Sequence, residues 1–119
     1  MIINIKDNQF KVKIARTEDE KSEGMMNKKF NSSFNGMLFL MGGNEHCFWM
    51  KNCITSLDII FIKNSKISKI HHNCEPCEDE DDELCKRYCG NGNLVLELKG
   101  GTCKLFHINE GDEVSIVDK

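Results

Sequence analysis

The stretch LDIIFIK, residues 57–63, is the clearest structural signal in the chain. Branched and aromatic side chains at strand length, entered through Asp58 and left through Lys63, describe a β-strand that packs into a core. The following KNSK supplies turn residues, and KISKI at 66–70 reads as the strand that returns beside it.

The same grammar extends outward in both directions. At the N-terminus, IINIK, DNQ and FKVKIA form a strand–turn–strand pattern, with Phe10, Val12 and Ile14 alternating against Lys11 and Lys13. TEDEKSEGMM carries a capping box, Thr17 with Glu20, and acids at Glu18 and Asp19 that suit the positive end of a helix. The spacing predicts a short helix from about Glu18 to Met25, weakened by Gly24, followed by the loop NKKFNSSFNG. GMLFLM and HCFWM read as two strands around a GGNE turn, and NLVLELK, CKLFHI and EVSIV as three more separated by GG and NEGD. The fold class that results is mostly β, a small sandwich-like or barrel-like single domain over residues 1–119, with one short helix near the N-terminus.

One segment departs from this pattern. HHNCEPCEDEDDELCKRYCGNG, residues 71–92, reads as a Cys- and acid-rich loop insertion and holds the only proline, Pro76. Residues 75–83 contain seven of the nineteen acids and no base, so the formal charge of -3 hides a mildly basic body carrying one acidic loop. No basic cluster is long enough to track phosphates, which argues against nucleic acid as a partner. No apolar run has the length of a membrane span, and the opening MIINIKDNQF lacks the basic-then-apolar order of a secretory signal. These features place the chain in a reducing cytoplasm, where seven cysteines serve as thiols, metal ligands or redox groups more readily than as permanent staples.

The run ARTEDEKSEGMMNKKF, GMLFLM, FWMKNCITSLDIIFI, LVLELKGG and INEGDEV, in that order, resembles the uncharacterised family called domain of unknown function 192, which occurs in bacteria, archaea and phages. The resemblance spans about Val12 to Val117, and FWMKN followed by LDIIFI is its most specific part. It implies a single mostly-β domain with a sandwich-like or barrel-like core, and no activity. The family pattern has a proline before the Leu-Asp pair where Ser56 stands here, and many relatives carry an N-terminal export signal. Four cysteines before the VLEL strand exceed the one or two of that pattern. The Lys-, Asn- and Ile-rich composition is compatible with a phage-encoded chain.

Two constellations are candidates for chemistry. In FWMKN, Trp49 either closes the core or walls a ligand pocket, with Lys51 and Asn52 at the mouth and Asp58 across it. Asp58 has an alternative role, accepting hydrogen bonds from nearby backbone amides. Glu97 shares one strand face with Val95 and Lys99, opposite Leu94, Leu96 and Leu98, and reads as solvent-facing; covered on both faces, it would need a partner such as Lys51. In the loop, Cys74, Cys77, Cys85 and Cys89 form a candidate four-thiolate zinc site, with His71 or His72 as substitutes. The seven residues between the two cysteine pairs are short for a zinc module and mostly acidic. A disulfide between the pairs is the alternative, whereas Cys47, Cys53 and Cys103 read as small buried hydrophobes.

No phosphate loop, dinucleotide fingerprint, nucleophile elbow or H-E-x-x-H occurs. The functional expectation is therefore a binding or accessory domain for a small molecule or protein, rather than a turnover enzyme. The surface at stake is Trp49, Lys51, Asn52, Asp58 and Glu97. The alternatives are a domain ordered by a zinc or disulfide-stapled loop, and a small hydrolase or transferase using Lys51, Asp58 and Glu97.

Overall fold

Lys6 and Asp7 take left-handed backbone conformations (φ 49° and 65°), and this tight turn joins β1 (Ile2–Ile5) to β2 (Asn8–Ala15). The computed structural model describes residues 1–117. Along β2, Phe10 and Val12 are buried while Lys11 and Lys13 are exposed, as the alternation requires. The capping box then starts α1 (Glu18–Glu23): Glu20 N–H donates to Thr17 Oγ1 at 3.1 Å, and Thr17 N–H donates to Glu20 Oε1 at 2.9 Å. Gly24 ends the helix with φ 49°, the left-handed region that glycine tolerates.

This crossover through α1 lets β3 (Gly36–Leu40) lie parallel to β2, with Val12 opposite Gly36. β4 (Glu45–Phe48) leaves the sheet, and β5 (Leu57–Lys63) with β6 (Lys66–Cys74) returns as a hairpin through Asn64 and Ser65, both left-handed. β7 (Tyr88–Asn91) pairs only with β4, β8 (Leu94–Lys99) inserts between β5 and β3, and β9 (Val114–Val117) pairs with β1. The result is a seven-stranded sheet in the order β6-β5-β8-β3-β2-β1-β9, with β4-β7 as a separate ribbon.

The sheet curls into a half-barrel. At one end its outer strands nearly meet, because Ile67 N–H donates to Asp112 O at 2.9 Å and Val114 N–H donates to Ser65 O at 2.8 Å. One face buries an aliphatic core that includes Ile3, Ile5, Phe10, Leu38, Ile60, Ile62, Leu96 and Leu98. The other buries Met25, Phe34, Phe39, Met50, Leu57, Ile59, Phe61 and Val95, under α1 and the β4-β7 ribbon. The mostly-β expectation therefore holds, as a curled half-barrel. Among the described residues no helix is long and apolar enough to cross a membrane.

Three local expectations are corrected. CKLFHI does not form a strand; Thr102–Leu105 is a short helix, α2. Its first amides are satisfied from a distant strand, since Gly101 and Cys103 N–H groups donate to the Asp58 carboxyl at 3.1 and 2.8 Å. His71–Cys74 belong to β6, and Tyr88–Asn91 form β7, so both ends of the 71–92 segment are strand rather than loop. β4 stops at Phe48, which leaves Trp49 and Met50 in the chain beyond it.

Candidate functional site

β8 sits in the middle of the sheet with both faces covered, so its alternation separates two buried environments rather than core from water. Leu96 and Leu98 enter the aliphatic core; Val95 and Glu97 enter the other. Glu97 is thus only 3% exposed, against the expectation of a solvent-facing carboxylate. Its cross-strand neighbours, Met37 on β3 and Ile59 on β5, are apolar. Its Oε1 has no hydrogen-bond partner. Burial pushes the Glu97 carboxyl from its ordinary 4.5 up to about 8, so at neutral pH it is held mainly protonated.

A cleft of about 280 Å³ opens over this group. Phe39, Phe48 and Trp49 form aromatic walls, Met25, Met26, Met41 and Cys53 complete the apolar lining, and Glu18, Lys21, Glu23 and His46 stand at the mouth. Gly24 brings the end of α1 close: a Cβ there would lie 3.3 Å from the Phe39 ring and 3.9 Å from Glu97 Oε1. Any larger residue would press into the cleft roof and adopt a strained φ.

The wall is braced by a relay of edge-to-face rings across five strands. Phe39 meets Phe48 at 5.1 Å, Phe48 meets Phe61 at 5.9 Å, Phe61 meets His71 at 5.9 Å, and His71 meets Tyr88 at 5.4 Å between centroids. Cys47 and Cys89, directly opposite in the β4-β7 ribbon, are joined by a disulfide. The Arg87 guanidinium stacks on Trp49, its carbon 4.4 Å from the ring centroid. A second disulfide, Cys77–Cys85, closes the acidic segment into a strap beside the ribbon.

The sequence family model DUF192, described as an uncharacterized ACR, matches residues 1–116. The chain belongs to the DUF192 family. No curated protein matches it. Two solved structures resemble this DUF192 chain throughout. A protein of unknown function from Novosphingobium aromaticivorans DSM 12444 has a TM-score of 0.81 and 27% identity, covering 97% of this chain and 84% of that one. A protein from Sinorhizobium meliloti 1021, provisionally described as a transcription regulator, also has a TM-score of 0.81, with 26% identity over 96% of this chain and 89% of its own.

Within the DUF192 frame, the residues singled out from sequence separate. Trp49 and Glu97 line one cleft. Lys51 turns away from it: Nζ lies 2.9 Å from Asp82 Oδ1 and donates to the Asp79 carbonyl, clasping the acidic strap. Asn52 is exposed with φ 57°, and its carbonyl accepts from Asn27 N–H at 2.8 Å. Asp58 is fully buried on the opposite sheet face, where its carboxyl accepts from the amides of Asn73, Gly101 and Cys103. The backbone-anchoring alternative is the one this geometry matches, although the amides lie far along the chain rather than in the adjoining turn. Lys51, Asp58 and Glu97 share no space in which to act on one substrate.

The four loop cysteines do not converge on a zinc centre. Cys77 is bonded to Cys85, Cys89 to Cys47, and Cys74 is a buried free thiol. Cys47, expected to be buried, is exposed at the ribbon edge. Among the described residues no three His, Cys, Asp or Glu side chains cluster as a metal site. The free thiols are suppressed as nucleophiles: burial pushes Cys53 up to about 12 and Cys74 up to about 11, and raises Cys103 as well. The cleft residues that sequence reading missed are Phe39, Met25, Met26, Met41 and His46. The one available signal was the pair of adjacent methionines after Gly24, since methionine lines adaptable apolar sites.

Proposed function

We propose that this DUF192 protein is a small-ligand-binding domain whose site is the cleft over Glu97. The carrying observation is Glu97 itself, a buried carboxyl with an unpartnered oxygen at the floor of a cleft that has aromatic and methionine walls and a charged mouth. Leaving such an oxygen unpaired costs about 1–3 kcal/mol. A ligand polar group would supply the missing hydrogen bond while its apolar body covers Trp49 and Phe48. Trp49 is retained from the sequence-level candidates as a wall, whereas Lys51, Asn52 and Asp58 hold the frame around it.

The regulator description of the Sinorhizobium protein is not carried over, because the acidic strap repels a phosphate backbone and no basic cluster in the sequence is long enough to track one. The two disulfides support an oxidising compartment in place of the reducing cytoplasm suggested by the sequence. Thiol titration of denatured, unreduced protein should then find three of the seven cysteines reactive.

Binding is tested by an NMR fragment screen that follows the methyl groups of Met25, Met26 and Met41 and the Trp49 indole. Hits should shift these signals together and lose affinity in Met41→Trp, which fills the cleft mouth. A screen whose hits scatter over other surfaces and ignore this substitution would sink the reading.

A further inference from the structure

We infer that the cleft selects a small organic cation, a protonated amine on a compact apolar frame. The inference rests on the binding role proposed for the cleft and adds its ligand class. Among the described residues that line the floor, the one carboxyl is Glu97, beside the weakly hydrogen-bonding Cys53 thiol, and its free atom, Oε1, is an acceptor once the group ionises. The walls beside it present the Phe39 and Phe48 rings, and aromatic faces attract cations and repel anions, as the Arg87 guanidinium 4.4 Å from the Trp49 centroid already illustrates. At the mouth, Glu18 is paired with Lys21 at 3.7 Å and Glu23 with Lys28 at 3.0 Å, so neither lysine there is left free to attract an anion. Nothing positively charged lies at the floor to hold an anion. A cavity of about 280 Å³ restricts the frame to roughly one ring.

Binding on this account is an exchange of cations. The ammonium enters, the Glu97 carboxyl releases its proton to solvent, and a carboxylate–ammonium pair remains in the cleft. The groups that face Glu97 leave this exchange to it. Cys53 and Cys74 stay protonated, because burial holds both thiols far above neutrality. Met37 and Ile59, its strand neighbours, do not ionise. Glu18, Lys21 and Glu23 of α1 and His46 of β4 stand at the mouth rather than the floor. Amine affinity should therefore rise with pH, by at most about tenfold per unit, through the region of about 8 where Glu97 is half protonated, and level off above it.

The test compares three probes of one size, benzylamine, benzyl alcohol and benzoate, followed by Trp49 fluorescence and the methionine methyl signals. At pH 8 benzylamine should bind at least tenfold more tightly than benzyl alcohol, with no saturable response to benzoate. Glu97→Gln should reduce the amine-to-alcohol ratio to within about twofold and abolish its pH dependence. Should that variant not fold, calorimetry of the unaltered protein at pH 7 in two buffers of different protonation enthalpy counts the proton directly, with close to one released per amine. Alcohol or benzoate binding as tightly as the amine at the same signals, or amine binding without proton release, overturns the ligand class and leaves the cleft as a binding site. If none of the three moves a cleft signal at millimolar concentration, the binding role itself falls, and the ligand class with it.

Discussion

The two faces of the central sheet each bury one carboxyl, and the two are treated in opposite ways. Asp58, on the aliphatic face, accepts from three backbone amides and fixes the end of β6 and the start of α2. Glu97, on the Met- and aromatic-rich face, lies beneath a cavity with an oxygen left unpaired. A buried polar group that is fully hydrogen-bonded belongs to the architecture, whereas one left unpaired carries a standing cost that folding alone does not explain. Asp58 thus builds the domain, whereas the unpaired Glu97 is the carboxyl we propose serves the cleft.

The sharpest way to break this contrast is Asp58→Ala, which orphans three amides at about 1–3 kcal/mol each. Urea denaturation should show a loss of about 4 kcal/mol or more, and retention of native stability would refute the anchoring role. Next in size come the disulfides bracing the cleft face. Replacing Cys47 and Cys89 together by serine, across a separation of 42 residues, should cost about 4 kcal/mol on chain-entropy grounds. The same change at Cys77 and Cys85, only 8 apart, should cost about 2.5 kcal/mol. Equal losses would mean that the ribbon bond constrains less than its loop length implies.

Glu97 should respond with the opposite sign to Asp58. Glu97→Leu removes an unpaired buried carboxyl at similar volume and should stabilise by about 1–2 kcal/mol. In the unaltered protein the folded state keeps the Glu97 proton between its ordinary 4.5 and about 8, while the unfolded chain has lost it. Stability from this group therefore falls as pH rises through that window and levels off above it. Chemical denaturation at pH 5 and pH 8 should reveal the slope in the parent and its absence in Glu97→Gln. The smallest effect belongs to Lys51→Ala, which releases a partly exposed ion pair with Asp82 and should change stability by less than about 1 kcal/mol.

Where the sequence was readable, the signal was local. LDIIFIK and the Thr17–Glu20 capping box need only neighbours in the chain and lie where their patterns imply, while the first hairpin forms as read with its turn at Lys6-Asp7 rather than over DNQ. α2 was illegible because the carboxyl that caps it comes from Asp58, 45 residues before Cys103. Glu97 was misjudged because alternation in LVLELK looks amphipathic, and only α1 and the curled sheet reveal that the second face is also covered. The cysteine spacing suggested a four-thiolate site since Cys47 lies far from the loop in sequence; the β4-β7 register is what sets it opposite Cys89. Of the residues proposed for a site, Trp49 and Glu97 share the cleft because β8 and the end of β4 both face the second core.

The near-meeting of the sheet's outer strands has a consequence for self-association. An open seven-stranded sheet would present two unpaired edges as templates for strand addition and fibril growth. Here the turn before β9 is knitted onto the start of β6, and further along β6 the Glu110 carboxylate accepts the Ile70 amide at 3.1 Å. The β7 carbonyl of Asn91 is taken up by Ser68 Oγ at 2.6 Å. The curl that shapes the cleft therefore also denies another chain an easy edge on which to polymerise.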